Sequence, residues 1–94
     1  MEFEWDSAKA DSNLEKHGID FDDAVRVFED PQAITEDVSE PQYGETRFKT
    51  VGTVGNLVIA VIYTDRGSVR RIISARRSRR NERRDYHHTS PPSR

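Results

Sequence analysis

The sequence contains no cysteine, which excludes a disulfide framework and any zinc–thiolate site. Long apolar runs are missing too. The longest, "LVIAVIY" at 57–63, falls far short of the roughly 20 residues of a membrane-spanning helix. The opening "MEFEWD" is acidic where a secretory signal is basic, so a cytoplasmic location without membrane association is expected. Apolar residues are scarce at 33%, and charged ones reach 34% against about a quarter in an average domain. Ninety-four residues of this composition can build one small core. We therefore expect a single domain over 1–88 and a flexible tail, "TSPPSR", over 89–94.

An excess of one charge is lacking only on average. The net charge is −2, yet residues 1–50 hold 14 acids and 5 bases, and residues 51–94 hold 3 acids and 10 bases. The halves thus carry −9 and +7. Phosphate contacts are local and screened beyond about 10 Å, so a basic face can bind a polyanion whatever the average charge.

Periodicity yields an order of elements. "MEFEW" alternates as a half-buried strand. Asp6 is placed to cap a helix that Gly18 would stop. A second helix follows from Asp20, with Phe21, Ala24, Val25 and Phe28 at i, i+3, i+4 and i+7, and Pro31 blocking its extension. "AITEDV", "ETRFKTV", "LVIAVIYT" and "SVRRIISAR" then read as four strands. Ser78 is placed to cap a last helix, "RRNERRDYHH". The order β-α-α-β-β-β-β-α predicts an α+β fold: strand, two helices, a mostly antiparallel four-strand run and a C-terminal helix.

Three groups of residues could carry chemistry. The stretch 71–86 holds seven arginines and two acids. Strict alternation puts Arg76 on one strand face with Arg70, Ile72 and Ser74. Arg80, Arg83, Arg84 and His87 fall on one side of the helix. The planar guanidinium matches phosphate at two points; a solvated helix facing the acidic half explains the same residues. Glu45, Arg47 and Lys49 are expected along one strand face, either as a carboxylate held among cations or as an ordinary solvent face. His17 suits proton transfer near neutral pH or the closing of its helix. Tyr86 could pack its helix or stack on a base.

The segments "FEWDSAKADSNLEKHGIDFDDAVRVFED", "GETRFKTVG" and "RIISARRSRRNERRDY" together resemble the BrnT family of type II toxins. The resemblance spans residues 3–86 and rests on "F-x-W-D-x-x-K", "K-H-G-I-x-F", "G-E-x-R" and "R-I-I-S-A-R-R". It implies a RelE-like compact fold and RNA cleavage that arrests translation and growth. It also implies neutralisation by a BrnA-like antitoxin with a ribbon-helix-helix domain, which would carry the complex to operator DNA as an autorepressor. The resemblance marks Trp5, Asp6, Lys9, Lys16, His17, Gly18, Glu45, Arg47, Arg76, Arg77, Glu82, Arg83 and Tyr86. Trp5 and Gly18 read as structural, Asp6 as a cap and Glu82 as helix electrostatics. Lys9, His17, Glu45, Arg47, Arg76 and Arg77 are the expected catalytic set. Lys49, Arg70, Arg80, Arg83, Arg84 and Tyr86 are the expected RNA contacts. No metal or other cofactor is expected. A non-catalytic module, binding nucleic acid or an acidic protein through the same arginines, is the alternative.

Overall fold

In the computed structural model the described residues are 1–89. The expected tail at 89–94 therefore lies, beyond Thr89, outside the described residues. Strand β1 (Glu2–Glu4) leads to helices α1 (Ser7–His17) and α2 (Phe21–Ala24), the latter running on as a 3-10 turn over Val25–Glu29. Strand β2 (Ile34–Asp37) and a 3-10 turn at Pro41–Tyr43 precede strands β3 (Phe48–Val54), β4 (Leu57–Arg66) and β5 (Val69–Arg77), and helix α3 (Arg80–Thr89) follows. One sheet runs β1-β5-β4-β3-β2. β2 to β5 pair antiparallel, and β1 adds parallel to β5. The expected α+β class and element order match.

The caps follow the side chains. Asp6 accepts from the N–H groups of Ala8 and Lys9 at 2.8 and 3.2 Å. Gly18, left-handed at φ 70°, donates to Leu14 O and closes α1. His17 makes no side-chain hydrogen bond among the described residues, so Gly18 and not His17 satisfies the helix end. The second helix departs from its expected stripe. Past Ala24 it tightens to three residues per turn, so Phe21, Ala24 and Val27 are fully buried and Val25 only partly. The tightened turn lies on β3 at Gly52, where a Cβ would come within 2.9 Å of Val27 Cγ2.

Helices α1 and α2 cover one face of the sheet. Their core holds Phe21, Val27, Ile59, Val61, Tyr63 and Ile72, each contributing about 1.5–3 kcal/mol on burial. Phe3, Trp5, Phe28 and Phe48 extend it, with ring centroids 5.0–5.8 Å apart along the chain of contacts. On the other face a smaller cluster of Val51, Ala60 and Tyr86 seats α3.

Two irregularities in β5 decide which side chains meet. Ile62 pairs with Ser74 but Tyr63 pairs with Ile72, leaving Ile73 as a bulge. The extra residue resets the alternation, so Ile72 and Ala75 both enter the helix-side core. The expected common face for Arg70 and Arg76 is thereby corrected. Arg70 lies on the helix side, its guanidinium 4.7 and 4.3 Å from the Phe28 and Tyr63 ring centroids. Arg76 joins Glu82 of α3 on the opposite face. Secondly, β1 pairs with β5 only at Val69–Arg71. Farther along, buried Asn13 of α1 takes the place of a strand: its Oδ1 accepts from Ala75 N–H at 3.1 Å and its Nδ2 donates to Ala75 O at 2.8 Å.

Candidate active site

The sheet face that carries α3 is only partly covered. Beside the helix, between β5 and the β2–β3 loop, lies a groove of about 340 Å³. Arg47, Lys49, Arg76 and Arg79 line it, together with Tyr43, Ile62 and Ile73. Each cation comes from a different place: the β2–β3 loop, β3, the end of β5 and the residue before α3.

Glu82 organises two of these cations. It is 4% exposed, and its oxygens accept from Arg76 Nη1 and Nη2 at 2.7 and 2.8 Å. Oε2 also accepts from Lys49 Nζ at 2.8 Å, and Oε1 from Arg79 N–H at 2.8 Å. The last bond closes the start of α3 as half of a capping box; the residue before the helix is Arg79 and not the expected Ser78. Hydrogen bonds from Arg76, then from Arg79 N–H and Lys49, outweigh burial and hold the Glu82 carboxyl far below the usual carboxylate range. Burial works against charge on Lys49, but its bonds to Glu36 and Glu82 prevail and raise its pKa. Lys49 therefore stays an ammonium, a charge donor and not a base.

Arg47 lies at the rim. Its guanidinium sits 3.9 Å from the Tyr43 ring centroid, and its Nε donates to Glu45 Oε2 at 3.2 Å. Glu45 also accepts from Arg66 Nη2 at 3.3 Å. What burial it has opposes ionisation, but Arg66 and Arg47 outweigh it and lower its pKa. The expected strand face of Glu45, Arg47 and Lys49 is corrected here. β3 begins at Phe48, because the left-handed Gly44 ends the preceding turn and Arg47 N–H bonds to Ser39 Oγ at 2.8 Å. Only Lys49 of the three lies in the strand.

The other expected residues are dispersed. Lys9 and His17 border a separate depression of about 180 Å³ beside α1, which meets the groove at Ile73 and Ser74. Arg70 is on the far face of the sheet, paired with Asp65 at 2.8 Å. Arg77 is exposed at the end of β5, outside the groove lining. Arg80, Arg83 and Arg84 are exposed along α3. Tyr86 is 8% exposed. Its hydroxyl donates to Asp30 Oδ2 at 2.6 Å and accepts from Thr53 Oγ1 at 2.8 Å, so in this conformation it anchors α3 and is not free to stack on a base. Tyr43 and Asn13 had not been singled out from the sequence, and the only signal for Tyr43 was an aromatic in a Pro- and Gly-bounded loop.

Among the described residues no group of three or more His, Asp or Glu could hold a metal ion, and no helix is long and apolar enough to cross a membrane. A family model described as "ribonuclease toxin, BrnT, of type II toxin-antitoxin system" matches residues 5–82. The chain belongs to this BrnT family. The match takes in every cation of the groove as well as Glu82. No curated protein matches the chain significantly. As a BrnT protein it is a ribonuclease toxin of a type II system, whose partner class is an antitoxin.

Proposed function

We propose that this BrnT toxin is an endoribonuclease that cleaves RNA in the groove without a metal ion. The convergence of Arg47, Lys49, Arg76 and Arg79 on one groove of the open sheet face carries the reading. The RNA 2′-oxygen attacks the adjacent phosphorus, its proton passes to a base, and the P–O5′ bond breaks. The departing O5′ takes up a proton from an acid or from water, and a 2′,3′-cyclic phosphate and a 5′-hydroxyl result. The cations offset the charge that builds on the phosphoryl oxygens. Arg47, bonded to Glu45 through Nε alone, can do so at two points, while Arg76, its fork held by Glu82, contributes charge.

Three groups remain candidates for proton transfer. Glu45, ionised beside Arg47 and Arg66, is tied to the groove through Arg47. Lys9 and His17 lie across Ile73 and Ser74, where RNA leaving the groove would pass. Glu45 is therefore the base of choice. The exposed arginines Arg77, Arg80, Arg83 and Arg84 extend the phosphate track along β5 and α3.

The resemblance noted above supports the rest of the reading. The partner is a BrnA-like ribbon-helix-helix antitoxin, which brings the pair to operator DNA as an autorepressor. The toxin acts in the cytoplasm to arrest translation and growth.

The test is incubation of purified toxin with RNA, with and without EDTA, and mass analysis of the ends. Cleavage that survives EDTA and leaves cyclic phosphates is expected, together with its loss in Arg47→Ala. Binding without cleavage would make the chain a nucleic-acid-binding module instead.

A further inference from the structure

We infer that Tyr43, with Arg47 stacked upon it, is a nucleobase platform that favours a purine beside the phosphate held in the groove. The inference rests on the groove being an RNA site. Cations alone cannot choose among bases, because every phosphate along a strand is alike. Selectivity needs a surface that touches a base, and among the described residues Tyr43 is the one aromatic side chain lining the groove. The others are committed elsewhere: Phe3, Trp5, Phe21, Phe28, Phe48 and Tyr63 pack into or against the core, and Tyr86 anchors α3.

Tyr43 is left 38% exposed, an unusual place for a large ring in a chain so short of apolar residues. It is also presented firmly. Its turn starts at Pro41 and closes at left-handed Gly44, and Tyr43 N–H donates to Glu40 O at 3.0 Å. A ring held in this way loses little freedom when a base stacks on it. Its hydroxyl makes no hydrogen bond among the described residues, so ring area is what the side chain offers. Stacking grows with the area of the base, which favours purines over pyrimidines. The Arg47 guanidinium lies over one face of the ring, 3.9 Å from the centroid, so the base stacks on the other face with a phosphate-binding charge close by.

The experiment uses oligoribonucleotides that differ at one position next to the cleaved bond, carrying a purine, a pyrimidine or no base. Tyr43→Phe should retain wild-type kcat/KM on all three. Tyr43→Leu, which keeps apolar cover for Arg47, should lose about tenfold on the purine substrate, less on the pyrimidine and nothing on the abasic one. An equal loss on purine and abasic substrates would overturn the platform and leave Tyr43 as a support for Arg47. A parallel arm uses 2′-O-methyl oligonucleotides, which lack the attacking hydroxyl, and follows the fluorescence of Tyr43→Trp above the background of Trp5. Quenching by a purine but not by an abasic site is expected, and equal quenching by both refutes stacking. Failure of the wild-type toxin to cleave any substrate counts against the ribonuclease reading alone, since the quenching arm reads the platform independently.

Discussion

Glu82 meets Arg76 at two points, Oε1 to Nη1 at 2.7 Å and Oε2 to Nη2 at 2.8 Å, and so ties the first turn of α3 to the end of β5. The guanidinium fork fits a carboxylate in this way, and the charges strengthen both bonds. Lys49 takes a further share of the same carboxylate. A strongly polar helix is thereby held on the sheet mainly by one buried anion and one buried tyrosine.

The anion makes α3 sensitive to acid. Glu82 in the folded chain titrates far below an unfolded glutamate, so its contribution is complete above the unfolded pKa of about 4.3 and fades as pH falls below it. Glu82→Gln should cost about 2 kcal/mol at pH 7, less than for a fully buried pair because Arg76 and Lys49 keep contact with water. Urea titrations of both proteins at pH 7 and pH 3 check this: the gap between them should narrow in acid.

Arg76 and Arg77 adjoin in sequence but should respond differently. Arg76→Ala leaves Glu82 with Lys49 as its one charged side-chain partner, and should destabilise the fold by about 2 kcal/mol and remove a groove cation. Arg77→Ala touches no ion pair among the described residues and should stay within about 0.5 kcal/mol of wild type. Thermal melts and RNA cleavage by the two single variants would separate them. Equal loss of activity in both would place Arg77 in the site after all.

Tyr86→Phe should loosen α3 without altering contacts to a base. It removes the bonds to Asp30 and Thr53, a cost of about 1–3 kcal/mol. Burial opposes ionisation of Asp30, but hydrogen bonds from Tyr86, Thr53 N–H and Gln32 N–H outweigh it and lower its pKa. The variant should therefore lose part of the decline in stability that wild type shows as acid protonates Asp30. Hydrogen exchange should quicken in α3 while RNA affinity holds.

Asn13→Ala should be among the most damaging single changes. It orphans the N–H and C=O of Ala75 and the C=O of Ile19, all served by one buried amide. The expected cost is roughly 2–4 kcal/mol, read as a lower urea midpoint with activity kept in the folded fraction. Asn13→Asp should also fail, because it keeps the acceptor but cannot donate to two carbonyls.

The antitoxin should bind less tightly as salt rises. Arg77, Arg79, Arg80 and Arg83 are exposed and make no ion pair among the described residues, so an acidic or amphipathic segment covering them would gain from unscreened charge. Affinity measured between low and physiological salt is the check, and indifference to salt would point to neutralisation through an apolar contact.

Local signals in the chain were readable because their causes are local. Asp6 and Asp20 cap with their own side chains, Gly18 closes α1 from the one position that favours a left-handed residue, and "LVIAVIYT", apolar on both faces, marks a central strand. These features, and the charge division between halves, set the element order, the α+β class and a basic face. Tertiary structure alone decided which charges meet. The bulge at Ile73 arises from the pairing of β5 with β4, and this one extra residue sends Arg70 and Arg76 to opposite faces. Glu82, Lys49 and Arg76 are spread over 34 positions of sequence and interact only once α3 folds back across the sheet. Tyr86 and Tyr43 look alike as letters; packing buries the first under α3 and leaves the second beside the groove, because burial depends on the whole chain's closure and not on neighbours in sequence.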